Sequence, residues 1–243
     1  MPLPVFDPVH EEAELREYLG DAFDRNRLML YEQQLLAELE QVGDEQAFYR
    51  TSEAYLYDLT AFAMTGTKQP YLRELVRALP PPARVLDWGC GIGSDGLALI
   101  GAGYDVAFAD FDNPSTRYLR WRLERRELAA PVYDLDKDDI PGAFDLAYAF
   151  DVIEHVDDPL ALLAELEERA RLVLVNLLAP GSGYEPLHRE LPLRGLIRHA
   201  AERGLRRYRV FGGRSHLVLY EPAHPNRLRA TVALARGRLV RGG

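Results

Sequence analysis

Cysteine and lysine are nearly missing from this chain. Of its 243 residues one is cysteine, Cys90, which excludes an internal disulfide and a multi-cysteine zinc site. Lys68 and Lys137 are the only lysines, so arginine carries almost all of the positive charge, a bias we read as genome composition. Long apolar runs are lacking too, and no stretch approaches the roughly 18 to 20 residues of a membrane span. The opening M-P-L-P-V-F-D-P has neither the basic start nor the apolar stretch of a secretory signal, so the expected setting is the cytoplasm, with no membrane partner. Positive charge is in deficit: 29 basic against 38 acidic residues give a net charge of −9, which disfavours a protein that must lie on a polyanion. A nucleic-acid substrate is therefore not expected. What is present, 47% hydrophobic and 28% charged residues, is the balance of a globular chain with a core of its own.

The organising stretch is 84–99, R-V-L-D-W-G-C-G-I-G-S-D-G-L-A-L. Val85, Leu86 and Asp87 read as the end of a buried parallel strand, Gly89, Gly91 and Gly93 as a turn, and 94–100 as the start of a helix. Glycines let the backbone approach a ligand closely, and a helix N-terminus offers unpaired N–H groups. The spacing G-x-G-x-G differs from the G-x-G-x-x-G of dinucleotide sites. Asp87, two residues ahead of the turn, would repel a pyrophosphate and suits a cation or an amino group.

Upstream, apolar residues from Leu15 to Val42 recur at helical spacing and predict one long helix or two over 11–42. A second helical piece over 44–64 is rich in aromatics, including Phe48, Tyr49, Tyr55, Tyr57 and Phe62, which either pack this segment or cover a pocket. A third covers 71–79. The proline run 80–82 separates this cap, 1–79, from a domain over 80–222; a basic tail, 223–243, follows. Within 80–222 strands and helices alternate, the pattern of a parallel sheet covered on both faces. Strands are expected at 85–87, 105–110, 131–135, 144–150 and 172–178, with helices at 94–101, 115–128, 159–169 and 191–203. Asp112 is expected to cap the helix at 115–128. An antiparallel pair, 207–211 and 216–220, closes the domain.

With these residues in view, the chain resembles the class I S-adenosylmethionine-dependent methyltransferases, whose first motif reads much like V-L-D-x-G-C-G-x-G. The resemblance covers about 71–221 and implies a Rossmann-like, seven-stranded, mainly parallel sheet with an antiparallel last strand, here preceded by the helical cap. It implies S-adenosylmethionine as cofactor, with S-adenosylhomocysteine as product. Asp87, Gly89, Cys90 and Gly91 would hold the methionine end. Asp110, closing the second strand, would accept from the ribose hydroxyls, and Phe111 would pack on the adenine. In Y-D-L-D at 133–136, Asp134 would accept from the adenine amino group and the Leu135 amide would reach the ring. Phe150 and Asp151, in the run F-D-L-A-Y-A-F-D-V-I-E-H-V-D-D-P, would line the space around the sulfonium. His155 is the candidate catalytic base, since an imidazole near neutrality can take a proton from a hydroxyl or amine.

Asp151, Glu154 and His155, with His188 further on, resemble the divalent-metal cluster of some small-RNA and quinone-precursor methyltransferases, which have glutamate in place of Asp151. No metal is assigned to the site on this basis. The expected acceptor is a small molecule, given the acidic balance and the aromatic cap. A peptide or protein acceptor is the alternative, and a non-catalytic cofactor-binding scaffold a further one. A nicotinamide-dependent dehydrogenase is disfavoured by the turn spacing.

Overall fold

A computed structural model describes residues 7–181 and 187–222; the basic tail at 223–243 and part of the loop before His188 lie outside the described residues. The N-terminal segment folds as six short helices rather than the three or four that periodicity predicts. Helix α1 (Pro8–Leu19) is capped by Asp7, whose carboxylate accepts from the Val9 amide at 3.0 Å. A 3₁₀ turn (Gly20–Ala22) follows, then α2 (Arg25–Met29), capped by Asp24, and α3 (Tyr31–Val42), which Gly43 ends in the left-handed region. The aromatic piece breaks at Ser52 into α4 (Glu45–Thr51) and α5 (Ala54–Thr65). Apolar spacing carries across these breaks, but the side chains of Asp24, Asp44 and Ser52 accept from the Asn26, Ala47 and Tyr55 amides in the first turns of α2, α4 and α5, and so favour new helices there. Helix α6 (Gln69–Ala78) completes the segment.

Then come β1 (Arg84–Trp88), α7 (Ser94–Gly101), β2 (Asp105–Asp110), α8 (Pro114–Arg125), β3 (Val132–Asp134), β4 (Phe144–Ala149), a 3₁₀ turn (Ile153–His155), α9 (Pro159–Arg169), β5 (Ala170–Leu178), α10 (Leu193–Gly204), β6 (Leu205–Phe211) and β7 (Ser215–Tyr220). The cap of α8 is Asn113, not Asp112: Asn113 Oδ1 accepts from the Thr116 amide at 2.9 Å while Thr116 Oγ1 takes the Asn113 N–H.

The strands form one seven-stranded sheet in the order β3-β2-β1-β4-β5-β7-β6. β2 pairs in parallel with β3, β4 with β1 and β5, and β7 runs antiparallel to both β5 and β6. This is the Rossmann-like sheet with an antiparallel last strand that the sequence leads one to expect. Among the described residues no helix is long and apolar enough to cross a membrane.

The chain divides into two compact units, one holding residues up to 82 with 89–139, the other 83–88 with those from 140 on. In the first, Leu15, Leu28, Leu56 and Tyr57 of the N-terminal helices share a core with Ile92 and Tyr118. Each such apolar side chain, fully buried, contributes about 1.5–3 kcal/mol, so these helices are bound into the core beneath the glycine turn. In the second, Leu86, Tyr148, Val173 and Val218 are wholly buried, and Leu196, Ile197, Ala200 and Ala201 form the inner face of α10.

Candidate functional site

In the first unit the chain leaves β1 through Gly89, Cys90 and Gly91. The Ala109 carbonyl, next to last in β2, accepts from the amides of Gly89 (2.8 Å) and Cys90 (3.2 Å). Two glycines in this turn would be strained by any side chain. Gly91 has φ +52°, and a Cβ there would stand 2.9 Å from Leu59 Cδ1 of α5; Gly93 has φ +73°, and its Cβ would meet Leu119 Cδ1 at 2.3 Å. The turn is thus held between β2, α5 and α8.

Asp110 sits where the turn and β2 meet. Its Oδ2 accepts from the Gly91 amide at 2.8 Å and its Oδ1 from the Phe111 amide at 2.7 Å. Burial pushes the carboxyl up, to about 6, against the pull of these two amides toward the charged form. Each oxygen spends one lone pair on the backbone and keeps another direction for a hydroxyl donor. Phe111, next along, carries the Arg50 guanidinium 4.3 Å from its ring centroid. Arg50, on α4, also pairs with both oxygens of Asp136. The sequence gives no hint of Arg50, because a lone arginine on an exposed helix reads as a solvated face.

Asp134 is the register partner of Asp110, on β3. Its Oδ2 lies 2.6 Å from Lys137 Nζ and its Oδ1 accepts from the Asp136 amide at 3.1 Å. The hydrogen bond from Lys137 holds its carboxyl below the usual range. The Leu135 amide, expected to reach an adenine ring, donates to the Asp110 carbonyl at 3.0 Å.

In the second unit Asp87 is buried in β1, in register with Tyr148 of β4. Phe150 is buried just after β4, its ring 4.8 Å from that of Tyr148. Asp151 is one of three non-glycine residues with positive φ among the described residues, +56°, a conformation that costs roughly 1–2 kcal/mol for an ordinary L-residue. Asn176 holds it there: Asn176 Oδ1 accepts from the Asp151 amide at 2.7 Å, and Asn176 Nδ2 donates to Asp151 Oδ1 at 2.6 Å and to Ser215 Oγ at 3.3 Å. Asn176 is wholly buried inside the apolar strand β5. A single amide in the run L-V-L-V-N-L-L was the available signal, and sequence reasoning passed over it.

His155 ends the 3₁₀ turn. Its Nδ1 is 2.8 Å from the Leu187 carbonyl. A carbonyl only accepts, so Nδ1 carries a proton. The Arg189 amide donates to the Glu154 carbonyl at 2.8 Å, tying the segment after residue 187 to this turn. That tie brings the His188 ring to 4.9 Å from His155, edge to face. One ligand atom from each of Glu154, His155 and His188 lies within 4.8 Å of the others. Two imidazoles and a carboxylate are a donor set that divalent metals accept. Of the four residues the sequence groups, these three converge, while Asp151 is engaged by Asn176.

Against known proteins, a family model described as a methyltransferase domain matches residues 64–215. No curated protein sequence matches the chain. Among solved structures, magnesium protoporphyrin IX methyltransferase (ChlM) from Synechocystis PCC 6803, crystallised with bound SAM, is similar with a TM-score of 0.52 at 17% identity, over 86% of this chain and 95% of that one. The PH0226 protein from Pyrococcus horikoshii OT3 gives 0.53 at 18% identity, over 72% and 95%. TehB from Haemophilus influenzae gives 0.51 at 17% identity over 63% of this chain, and the match spans 61% of TehB's length. Likeness at this identity speaks for the fold alone. The family model, which takes in β1 to β6, the glycine turn and the strand-end acids, speaks for more: the chain belongs to the methyltransferase-domain family, class I enzymes that use S-adenosylmethionine.

Proposed function

We propose that this methyltransferase acts on a small molecule, at an oxygen, nitrogen or carbon nucleophile, and that Asp110 anchors its cofactor. The observation that carries the cofactor assignment to residues is the Asp110 carboxylate, held by the Gly91 and Phe111 amides beside a turn in which a side chain at Gly91 or Gly93 would be strained. A charged acceptor so placed suits a ribose diol, and hydrogen bonds to charged groups contribute about 1.5–3 kcal/mol. Gly89, Cys90 and Gly91 supply the close backbone approach and Phe111 an apolar ring for the adenine, while Asp134 and Leu135, whose carboxylate and amide are engaged by Lys137 and by the Asp110 carbonyl, only border that ring. Asp87 is assigned to the methionine ammonium, and Phe150 and Asp151 to the surroundings of the sulfonium. The small-molecule acceptor rests on the net charge of −9 and on the aromatic cluster of Phe48, Tyr49 and Tyr55, whose ring centroids lie 5.2 to 5.9 Å apart.

The cofactor supplies an already activated methyl group. The chain's task is to position the acceptor in line and exclude water, effects worth up to about 7–11 kcal/mol for a well-aligned pair. Where the nucleophile carries a proton, His155 Nε2 takes it, and the Leu187 carbonyl stabilises the resulting imidazolium at Nδ1. Incubation with S-adenosylmethionine and panels of phenolic, carboxylic and amine acceptors checks this reading. We expect S-adenosylhomocysteine together with a small acceptor heavier by one methylene. Transfer confined to peptides would replace the small-molecule reading, and binding without transfer to either class would favour the scaffold.

The convergence of Glu154, His155 and His188 favours a second reading for the acceptor end. There these three residues hold a divalent cation, which would draw an acceptor oxygen in and lower its pKa. Titration with Mg²⁺, Co²⁺ and Zn²⁺ should then show one site per chain, weakened at least about 10-fold in His188→Ala. Equal uptake by that variant would leave His155 with the proton-transfer role alone.

A further inference from the structure

One wholly buried charge has no part in the chemistry above. Arg122, on α8, has no solvent exposure, and its donors reach four acceptors. Nε donates to Glu14 Oε2 at 2.9 Å, Nη2 to Glu11 Oε1 at 2.9 Å, and Nη1 to the Ile92 carbonyl at 3.0 Å and to Ser94 Oγ at 2.9 Å. Ser94 Oγ in turn donates to Glu11 Oε2 at 2.9 Å. Glu14 also accepts from Arg126, at 2.8 and 2.6 Å. Two carboxylates of α1 therefore meet Arg122 of α8 and Arg126, which caps its end, and Arg125 stands a further 3.8 Å from Glu14 Oε1.

Stability alone does not explain such a cluster. Replacing a buried ion pair by apolar side chains of similar size is often neutral or stabilising, whereas a planar fork with five donors fixes the direction of whatever it bonds. What Arg122 fixes is the backbone of the glycine turn. Ile92 lies between the two glycines at positive φ, and its carbonyl is held by Arg122 while the adjoining Gly91 amide is held by Asp110. The turn is clamped from both sides, and Leu119, one helical turn before Arg122, leaves no room at Gly93 for it to slip.

We propose that Arg122 is a positioning residue for the cofactor-binding turn, set in place by Glu11 and Glu14, so that the first helix of the chain is part of the cofactor site. The proposal rests on the assignment of that turn to S-adenosylmethionine. It gives the N-terminal segment a role distinct from covering an acceptor: without α1 the guanidinium loses both carboxylates, and the Ile92 carbonyl its fixed donor.

The test uses the full chain, calorimetric titration with S-adenosylhomocysteine, thermal melts and ¹⁵N amide spectra. Arg122→Lys keeps the charge but replaces the fork by one ammonium that cannot serve four acceptors; affinity should fall about 10-fold. Ser94→Ala removes one acceptor and leaves both ion pairs, and should weaken binding about 3-fold. Arg16→Ala, which removes an exposed pair with Glu12 on the same helix α1, should bind as the wild type does. In Arg122→Lys the Gly91 and Gly93 amide signals should move before any ligand is added. A lowered melting temperature with wild-type affinity and unmoved Gly91 and Gly93 signals would overturn the proposal, since a merely structural residue behaves so. Should Arg122→Lys fail to fold, Ser94→Ala decides alone, and wild-type affinity there is likewise fatal. Absence of binding by the wild-type protein would instead overturn the cofactor assignment itself, and is read before any variant.

Discussion

Asp110 and Asp134 close neighbouring parallel strands in register, and at the level of sequence they are the same signal, an acid at a strand end. Their surroundings oppose each other. Among the described residues Asp110 accepts from backbone N–H groups alone, and burial lifts its carboxyl to about 6. Asp134 meets a lysine ammonium, which keeps its carboxyl low and occupies the oxygen a ligand would need. Amide donors orient a carboxylate without neutralising it, while a lysine partner does both. A strand-end acid thus stays a ligand acceptor when its neighbours are backbone and becomes a loop anchor when its neighbour is a counter-ion.

The comparison breaks most visibly at Asp110. Asp110→Ala should weaken S-adenosylhomocysteine binding about 10- to 100-fold by calorimetry, the loss of charged hydrogen bonds. Unchanged affinity would remove Asp110 from the site. A smaller effect should come from pH. As the pH falls through about 6, Asp110 takes up a proton and loses acceptor strength, so wild-type affinity should drop several-fold between pH 8 and pH 5 while Asp110→Asn stays level. The stability sign runs the other way. The folded chain holds this proton at pH values where the unfolded chain has released it, so Asp110 subtracts stability as the pH rises from 3.8, the ordinary aspartate value, to about 6. Smallest is Asp134→Ala, for which less than about a 3-fold change in affinity is expected, since both carboxylate oxygens are already engaged. A loss as large as that at Asp110 would show that Lys137 yields to the ligand and would dissolve the contrast.

Much of the sheet was legible in the sequence because its signals are local. Helices Ser94–Gly101 and Pro159–Arg169 and strand Asp105–Asp110 lie where apolar spacing, Gly93 and the Asp158–Pro159 cap put them. The glycine turn and Asp110 are readable for the same reason. Breaks in the N-terminal helices were not, since side-chain caps at Asp24 and Ser52 override a periodicity that continues past them. The residues that orient the turn were hidden by distance. Glu14 and Arg122 are 108 positions apart, and charged residues on two amphipathic helices look solvated until the helices meet. Asn176 was concealed differently, as one amide in an apolar strand whose partners, Asp151 and Ser215, come from the turn after β4 and the start of β7. Arg50, over Phe111, belongs with these.

The measurement that bears most directly on the account is calorimetric titration of the purified full chain with S-adenosylmethionine, S-adenosylhomocysteine and NADH, each with and without magnesium. The account predicts that both adenosyl ligands bind at one site per chain and that NADH does not, because Asp87 and the G-x-G-x-G turn refuse a pyrophosphate. Binding of NADH, with neither adenosyl ligand bound, would contradict it.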